Sequence, residues 1–249
     1  MKQVFLDYQE RVKEVEEYFN FLKLLDDPLV TIKKKDESGT ESQVQTAPSW
    51  LPFFKATSFI IIYNLVEATV RAGFSRLYLD IHSSGIPLSG IQKSFIKLWI
   101  EQVLKDCEPL TSNFNTYKDK INEISEKLLS QGVCSLDVGK LPISGNLDSR
   151  KIFELCKLHL ISQKISKNAN SGRELKLVKD NRNDLAHGNR SFLECGRDYT
   201  VDGLVRIKSE SFAFLECILK NIEDFMEKKG YVKNTGTELG HMDKAEAVA

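Results

Sequence analysis

Apolar residues return every three or four positions through most of this chain, and this spacing restricts the fold more than any other sequence feature. Such a recurrence places apolar side chains along one face of an α-helix. The longest pattern predicts a helix from about residue 53 to 81, and a first helix ends at the Asp26-Asp27-Pro28 break. Further helices are predicted over about 91–104, 116–132, 149–161 and 172–187, and from Thr200 or Asp202 to Gly230. We therefore predict an all-α helical bundle.

One domain is expected over residues 1–230, interrupted by two segments of different composition. Residues 33–49, "KKKDESGTESQVQTAPS", have the composition of a mobile linker. Residues 106–146 form a loop-rich insertion, after which Asp148 is placed to cap the next helix. Residues 231–249 are small and polar, so we expect a disordered tail there.

The charge balance and the cysteines exclude several classes of protein. Lys plus Arg and Asp plus Glu are 35 each, which argues against a non-specific polyanion binder but not against a local basic site. The cysteines are odd in number and form no CxxC, as in reduced cytosolic thiols; they stand at positions 107, 134, 156, 195 and 217. No metal or cofactor is expected.

Membrane insertion is not expected either. The N-terminus is charged throughout and has no apolar signal-peptide core. The strongest apolar run, "FIIIYNLVEATV", is interrupted by Asn64 and Glu67 and is too short to span a bilayer, so it predicts a buried helix. We expect a soluble, cytoplasmic protein.

An arginine interrupts the apolar stripe of the helix near 172–187. With Leu175 at zero, Val178 lies at about 300°, Leu185 at about 280° and Arg182 at about 340° around the axis. Burying an unpaired guanidinium costs several kcal/mol, so Arg182 needs a counter-charge or a ligand at this position.

Two further polar residues flank Arg182. Asn183 and His187 are four residues apart and lie together on the flank of the helix beside Arg182. Lys179 lies on the same flank and makes it basic, and Gly188 is the expected left-handed cap. Arginine matches phosphate oxygens and histidine moves protons, so the set suits a phosphodiester. The alternatives are that His187 only complements the helix dipole and that Arg182 only pairs with a carboxylate.

A second Arg-x-His match serves as a control, because Arg76 and His82 are separated by five residues. Arg76 lies off the apolar stripe of its helix, and Asp80 follows four positions later as an ion-pair partner. This match predicts a solvated face and no site.

Other candidates are weaker. Asn64 and Glu67 share a polar line on the long helix and would either lie on an exposed face or stand behind Arg182 as a counter-charge. Arg190 follows the motif and would grip an RNA backbone or remain a surface charge.

The stretch "RNDLAHG", from Arg182 to Gly188, resembles the Arg-x(4–6)-His motif of the HEPN superfamily. "IIYNLVEATVR", "SGNLD" and the sequence following "RNDLAHG" are similar to a prokaryotic HEPN group associated with toxin and defence loci. The resemblance covers about residues 50–230, and residues 1–27 are an open extension of it.

The resemblance implies a HEPN-like helical bundle and a metal-independent endoribonuclease of toxin or antiphage-defence type. Such proteins usually form homodimers whose two motifs face each other across an RNA cleft. His187 would be general base or acid, Arg182 the phosphate clamp and Asn183 the group that orients them. An antitoxin or another defence-system protein is the implied partner.

One departure from the family pattern is Asn189, which stands where some HEPN toxins carry a tyrosine that a partner nucleotidylates. We therefore do not expect that mode of neutralisation. Two other functions remain open: a non-catalytic HEPN module that binds RNA, acts as a scaffold or regulates another effector, and a helical interaction protein with an accidental motif.

Overall fold

The protein is all-α apart from one short hairpin, as a computed structural model that describes residues 1–30, 32–44, 50–105, 114–143 and 145–233 shows. The described helices are α1 (Lys2–Asp26), α2 (Leu51–Ser83), α3 (Lys93–Leu104), α4 (Phe114–Leu129), α5 (Ser149–Leu158), α6 (Arg173–Ala186), α7 (Phe192–Arg197) and α8 (Val201–Glu227). Short 3-10 turns lie at Leu88–Gly90, Val138–Lys140 and Lys167–Gly172. The predicted fold class and the predicted helices are confirmed, with ends displaced by a few residues.

The long helix α2 is the centre of the bundle, and α1, α6, α7 and α8 all pack against it. Two glycines allow the closest approaches. A Cβ on Gly73 would lie 2.9 Å from Ile222 of α8, and one on Gly196 of α7 would lie 1.7 Å from the carbonyl oxygen of Pro52. Only a residue without a side chain permits the second contact, which places α7 directly on the first turn of α2.

By length and composition α2 is the one described helix able to cross a membrane. The sequence analysis judged the apolar run that begins at Phe59 too short to span a bilayer. The complete helix α2 is long enough, so that judgement is wrong. Half of the most apolar window of α2 is nevertheless buried by the rest of the protein, as in the core helix of a soluble protein. The prediction of a buried helix agrees with this packing.

Within the segment 33–49, expected to be a mobile linker, residues 33–44 belong to an antiparallel hairpin that the sequence analysis did not predict. Strands β1 (Ile32–Lys35) and β2 (Glu41–Val44) pair with Lys35 opposite Glu41. The turn closes on Asp36, whose carboxylate accepts the backbone N–H groups of Ser38 and Thr40. Gly39 supplies the positive φ of 83° that the turn needs. Residues 45–49 lie outside the described residues.

The 106–146 segment contains the predicted helix as α4. The chain that follows α4 is fastened to the core. The N–H of Leu88 donates to Gly132 and that of Cys134 to Ile86, while Gln102 exchanges two hydrogen bonds with the backbone of Asp137. Residues 106–113 and 144 lie outside the described part.

The predicted disordered tail begins too early. Tyr231 is 2% exposed, its hydroxyl donates to Asp80, and its carbonyl accepts the N–H of Gln92. The N–H of Lys233 donates to Gly90. The prediction is therefore wrong for residues 231–233, because an aromatic side chain at the end of the last helix finds a buried position. Residues 234–249 lie outside the described residues.

Local capping signals agree with the structure. Asp148 caps α5 by accepting the N–H of Lys151, and Thr200 caps α8 by accepting that of Gly203. The sequence prediction missed α7, although Ser191 and Glu194 form a complete capping box at its start. The four described cysteines are free thiols, and Cys107 lies outside the described residues.

Candidate active site

The buried face of α6 differs from the prediction in one respect. Leu175, Val178 and Leu185 are buried as expected, but Arg182 is only half-buried. The polar residue within the buried stripe is Asn181, which lies at about 240° on the same helical scale. The buried stripe is therefore centred away from Arg182, and the prediction that this arginine occupies its middle is wrong.

Asn181 is buried because each end of its amide is paired. Its Nδ2 donates to the carbonyl of Leu177 and to the hydroxyl of Tyr199, both at 2.9 Å. Its Oδ1 accepts from the Sγ of Cys195 at 3.3 Å and from Arg190 at 3.4 Å. These bonds join α6 to α7 and fix the end of α6 that carries the motif.

Arg182 lies on an aromatic ring. Its guanidinium carbon is 4.4 Å from the ring centroid of Tyr63, within the range of a cation–π interaction. Nη1 donates to Oδ1 of Asn183 at 3.0 Å and approaches the carbonyl oxygen of Gly145 at 3.5 Å. Among the described residues, no carboxylate forms an ion pair with this arginine. Its positive charge is thus held by a ring and two neutral oxygens.

Tyr63 was not singled out by the sequence analysis. Its side chain is 1% exposed, and its hydroxyl accepts the N–H of Leu147 at 3.1 Å. Burial raises the pKa of Tyr63; the Leu147 hydrogen bond and the charge of Arg182 oppose that rise. The available signal was a tyrosine in an apolar run, since a buried tyrosine hydroxyl requires a partner.

The Gly145–Asp148 loop forms the opposite wall of the site, and each of its four residues contacts α2 or α6. Gly145 lies against Arg182 and Leu147 against Tyr63, as described above. Oδ1 of Asn146 accepts from Nδ2 of Asn183 at 2.7 Å. A continuous chain of hydrogen bonds therefore runs from Arg182 through Asn183 to this loop.

The fourth loop contact joins Asp148 to Lys179. Their charged atoms are 2.9 Å apart, and Lys179 also lies 3.3 Å from Asp180. The hydrogen bond that Lys179 donates to the Asp148 carboxylate raises the pKa of the Lys179 ammonium. Burial raises the pKa of the Asp148 carboxyl, but the Lys151 N–H and the Lys179 ammonium together hold it below its usual range. Lys179 fastens α5 to α6, and its charge is compensated within the chain.

Arg190 is also paired within the chain. It forms an ion pair with Asp198 and donates to the carbonyl of Glu194 at 3.3 Å. The hydrogen bond that Arg190 donates to the Asp198 carboxylate raises the pKa of Arg190. This arginine ties the chain between α6 and α7 to the end of α7.

Asn64 and Glu67 are not joined to Arg182 by any hydrogen bond or ion pair among the described residues. Glu67 instead forms an i,i+4 ion pair with Arg71 at 3.2 Å. Asn64 is exposed and lines a groove toward α1 with Arg11 and Tyr18. The structure therefore does not bring Asn64 and Glu67 together with the arginine.

His187 is the C-cap of α6, and its backbone N–H donates to the carbonyl of Asn183 at 2.9 Å. The imidazole is exposed and has no hydrogen-bond partner among the described residues. Gly188 follows with the left-handed φ of 71°, as predicted for the cap. On a regular helix Arg182 and His187 are about 7.5 Å apart along the axis and about 140° apart around it. They leave the helix on different flanks, with Asn183 between them.

This arrangement offers a cation whose charge has no anionic partner, an amide that holds it, and an accessible imidazole that both accepts and donates protons. Within the described residues no group of three or more His, Cys, Asp or Glu side chains is placed to hold a metal ion. The chemistry that these side chains supply is charge stabilisation and proton transfer.

A family model described as HEPN_MAE_28990-like HEPN matches residues 1–231. The match includes α1 to α8 and therefore the first helix, which lies outside the stretch of about 50–230 that carried the resemblance. The comparison with curated proteins and that with solved structures find no significant match.

Proposed function

The chain belongs to the HEPN_MAE_28990-like HEPN family, and from this premise we propose that it is an endoribonuclease that cleaves RNA without a metal ion. The observation that carries the proposal is the environment of Arg182, which has an aromatic ring and two neutral oxygens as partners. A half-buried guanidinium without a carboxylate favours an anionic ligand, and arginine matches the oxygens of a phosphate.

The proposed reaction is an attack of the ribose 2′-OH on the adjacent phosphorus. A neutral His187 imidazole accepts the hydroxyl proton, the new bond from O2′ to phosphorus forms, and the bond from phosphorus to O5′ breaks. A protonated His187 imidazole donates the proton that the leaving O5′ requires. The products are a 2′,3′-cyclic phosphate and a 5′-OH end. Arg182 stabilises the charge on the phosphate oxygens, and Asn183 orients Arg182.

The proposed site is completed by a second copy of the chain. Arg182 and His187 leave α6 on different flanks, so two motifs facing each other would supply an arginine and a histidine to one phosphate more readily than a single copy. We expect a homodimer in light scattering at micromolar concentration. A strictly monomeric protein that still cleaves RNA would contradict the composite site.

The chemistry is tested with purified protein and single-stranded RNA. Cleavage should persist in EDTA, and the new 3′ ends should carry a cyclic phosphate that acid opens to a monophosphate. Activity that disappears with the chelator and returns with magnesium would disprove this mechanism.

We further propose that the nuclease acts as a toxin or in antiphage defence in the cytoplasm, with an antitoxin or another defence-system protein as its partner. Expression of the native chain should then stop the growth of a bacterial host. The His187→Ala chain should be tolerated, whereas the His82→Ala chain should remain as toxic as the native one.

A second function is a non-catalytic HEPN module that binds RNA, serves as a scaffold or regulates another effector. One observation favours it: among the described residues no partner orients the His187 imidazole or selects its tautomer. A native dimer that binds RNA through Arg182 but leaves the RNA intact would support this function over the nuclease.

A further inference from the structure

The partner of Arg182 determines which of its N–H groups remain for a ligand. A carboxylate pairs with arginine through its N–H donors, often through two at once. An aromatic ring instead attracts the cation through its face and uses none of these donors. With Tyr63 beneath it at 4.4 Å, Arg182 is held in place while its donors stay available.

The hydrogen bonds of Arg182 agree with this view. Both of them leave from Nη1, toward Asn183 and Gly145. Within the described residues, Nη2 and Nε make no hydrogen bond. The edge formed by these two nitrogens is the fork that a phosphate accepts with two oxygens.

The Tyr63 ring is itself fixed. It is buried, and its hydroxyl is anchored by the N–H of Leu147, so the ring cannot tilt without breaking a hydrogen bond of the Gly145–Asp148 loop. One side chain of α2 therefore supports both the arginine of α6 and the loop opposite to it.

We propose that Tyr63 is a positioning residue of the nuclease: the face of its ring holds the Arg182 guanidinium, whose Nη2–Nε edge is left for a phosphate of the RNA. Its hydroxyl also accepts the N–H of Leu147, in the loop that contacts Arg182 and Asn183, but the contact with the guanidinium requires only the ring. This inference rests on the proposed role of Arg182 as phosphate clamp.

The test measures binding without cleavage. The probe is a single-stranded RNA in which every ribose is 2′-O-methylated, because it lacks the nucleophile. Each lost phosphate contact on a single strand lowers the slope of log affinity against log salt by about 0.7. Arg182→Ala should show this loss. Tyr63→Leu should show it too, with an affinity roughly 3- to 30-fold lower, whereas Tyr63→Phe should keep the native slope.

Two controls separate positioning from packing. Tyr78→Leu removes another buried tyrosine of α2 whose hydroxyl contacts His159, and it should leave the salt slope unchanged. A trifluorinated phenylalanine at position 63 retains the ring shape but weakens its negative face. It should bind the probe less tightly than Tyr63→Phe at the same melting temperature, which keeps the test decisive if Tyr63→Leu does not fold.

The double variant decides whether Tyr63 acts through Arg182. In the Arg182→Ala background, Tyr63→Leu should cost no further affinity. An equal loss in both backgrounds, or equal binding by the fluorinated and plain rings, would overturn the proposal. If Arg182→Ala itself changes neither affinity nor cleavage, the proposed function fails instead, whatever the Tyr63 variants do.

Discussion

The chain contains two arginine–histidine pairs of similar spacing, and their surroundings differ in kind. Arg76 lies on the outside of α2, where its Nη2 is 3.8 Å from Asp80 and its side chain is 46% exposed; His82 is exposed as well. Arg182 is half-buried between α2, α6 and the Gly145–Asp148 loop, and no carboxylate among the described residues pairs with it.

The difference shows that a spacing of arginine and histidine has no chemical meaning until the partners of the arginine are known. An exposed i,i+4 pair such as Arg76 with Asp80 contributes at most about 1 kcal/mol and leaves no charge to satisfy. A ring and neutral oxygens hold Arg182 without neutralising it. The following variants test this contrast, in order of decreasing expected effect.

His187→Ala should have the largest effect. It removes the proposed proton-transfer group, which is typically worth 10²–10⁴-fold in rate, while the arginine that binds phosphate remains. Cleavage should be lost, and the affinity for the methylated RNA should be retained. His82→Ala is the matched control and should stay within a few-fold of the native rate. The opposite result, with His82 essential and His187 dispensable, would show that the site lies on α2 and not on α6.

Arg182→Ala should reduce cleavage by about 10²-fold, the usual cost of removing one group that stabilises developing charge. It should also weaken RNA binding, because a guanidinium contacts the phosphate before and during the reaction. The measurements are single-turnover cleavage and binding of the methylated probe. Arg76→Ala should change neither by more than a few-fold, and comparable losses in both variants would remove the distinction between the two pairs.

A third histidine, His159, extends the comparison, because it is buried whereas His82 and His187 are exposed. Nδ1 of the His159 imidazole donates to the carbonyl of Leu155, and in the neutral ring Nε2 accepts from the Tyr78 hydroxyl. Burial lowers the pKa of His159 to about 4 from the usual 6.5.

The unfolded chain binds this proton more readily than the folded one. The stability contributed by neutral His159 is therefore complete above about pH 6.5 and is lost progressively as the pH falls to about 4, by about 3 kcal/mol in total. Denaturant unfolding between about pH 6.5 and pH 4 should show this decrease in the free energy of unfolding in the native protein and in His82→Ala. His159→Gln should lose it, and an unchanged slope in that variant would contradict the assignment.

The smallest effect is expected for the two side-chain amides, of Asn183 and Asn146, that link Arg182 to the Gly145–Asp148 loop. Asn183→Ala removes the 3.0 Å bond to Arg182 and the 2.7 Å bond to Asn146. One or two hydrogen bonds of this kind are worth about tenfold in rate. Asn64→Ala, on the exposed side of α2, is the control and should be silent in the same cleavage assay. A silent Asn183→Ala would show that Tyr63 alone suffices to place the arginine.

Much of the fold was predictable because its signals are local. The spacing of Leu175, Val178 and Leu185 predicted α6, and Asp148 and Thr200 marked the starts of α5 and α8. The ion pair of Arg76 with Asp80 followed from residues four apart on one helix. The errors fall where tertiary packing determines the structure. Tyr231 was predicted to belong to a disordered tail because its neighbours are small and polar, but it is buried.

The sequence by itself determined which residues bear the motif, the helix that carries them and the glycine that ends it, because each depends on neighbours within one or two turns. The tertiary structure alone decided the surroundings of Arg182. Asn183 meets Asn146 across 37 positions, and Tyr63 meets Leu147 across 84. No helical period relates residues so distant in the chain. They meet because α6 and the Gly145–Asp148 loop both dock on α2, where burial and paired hydrogen bonds leave one arrangement of their side chains.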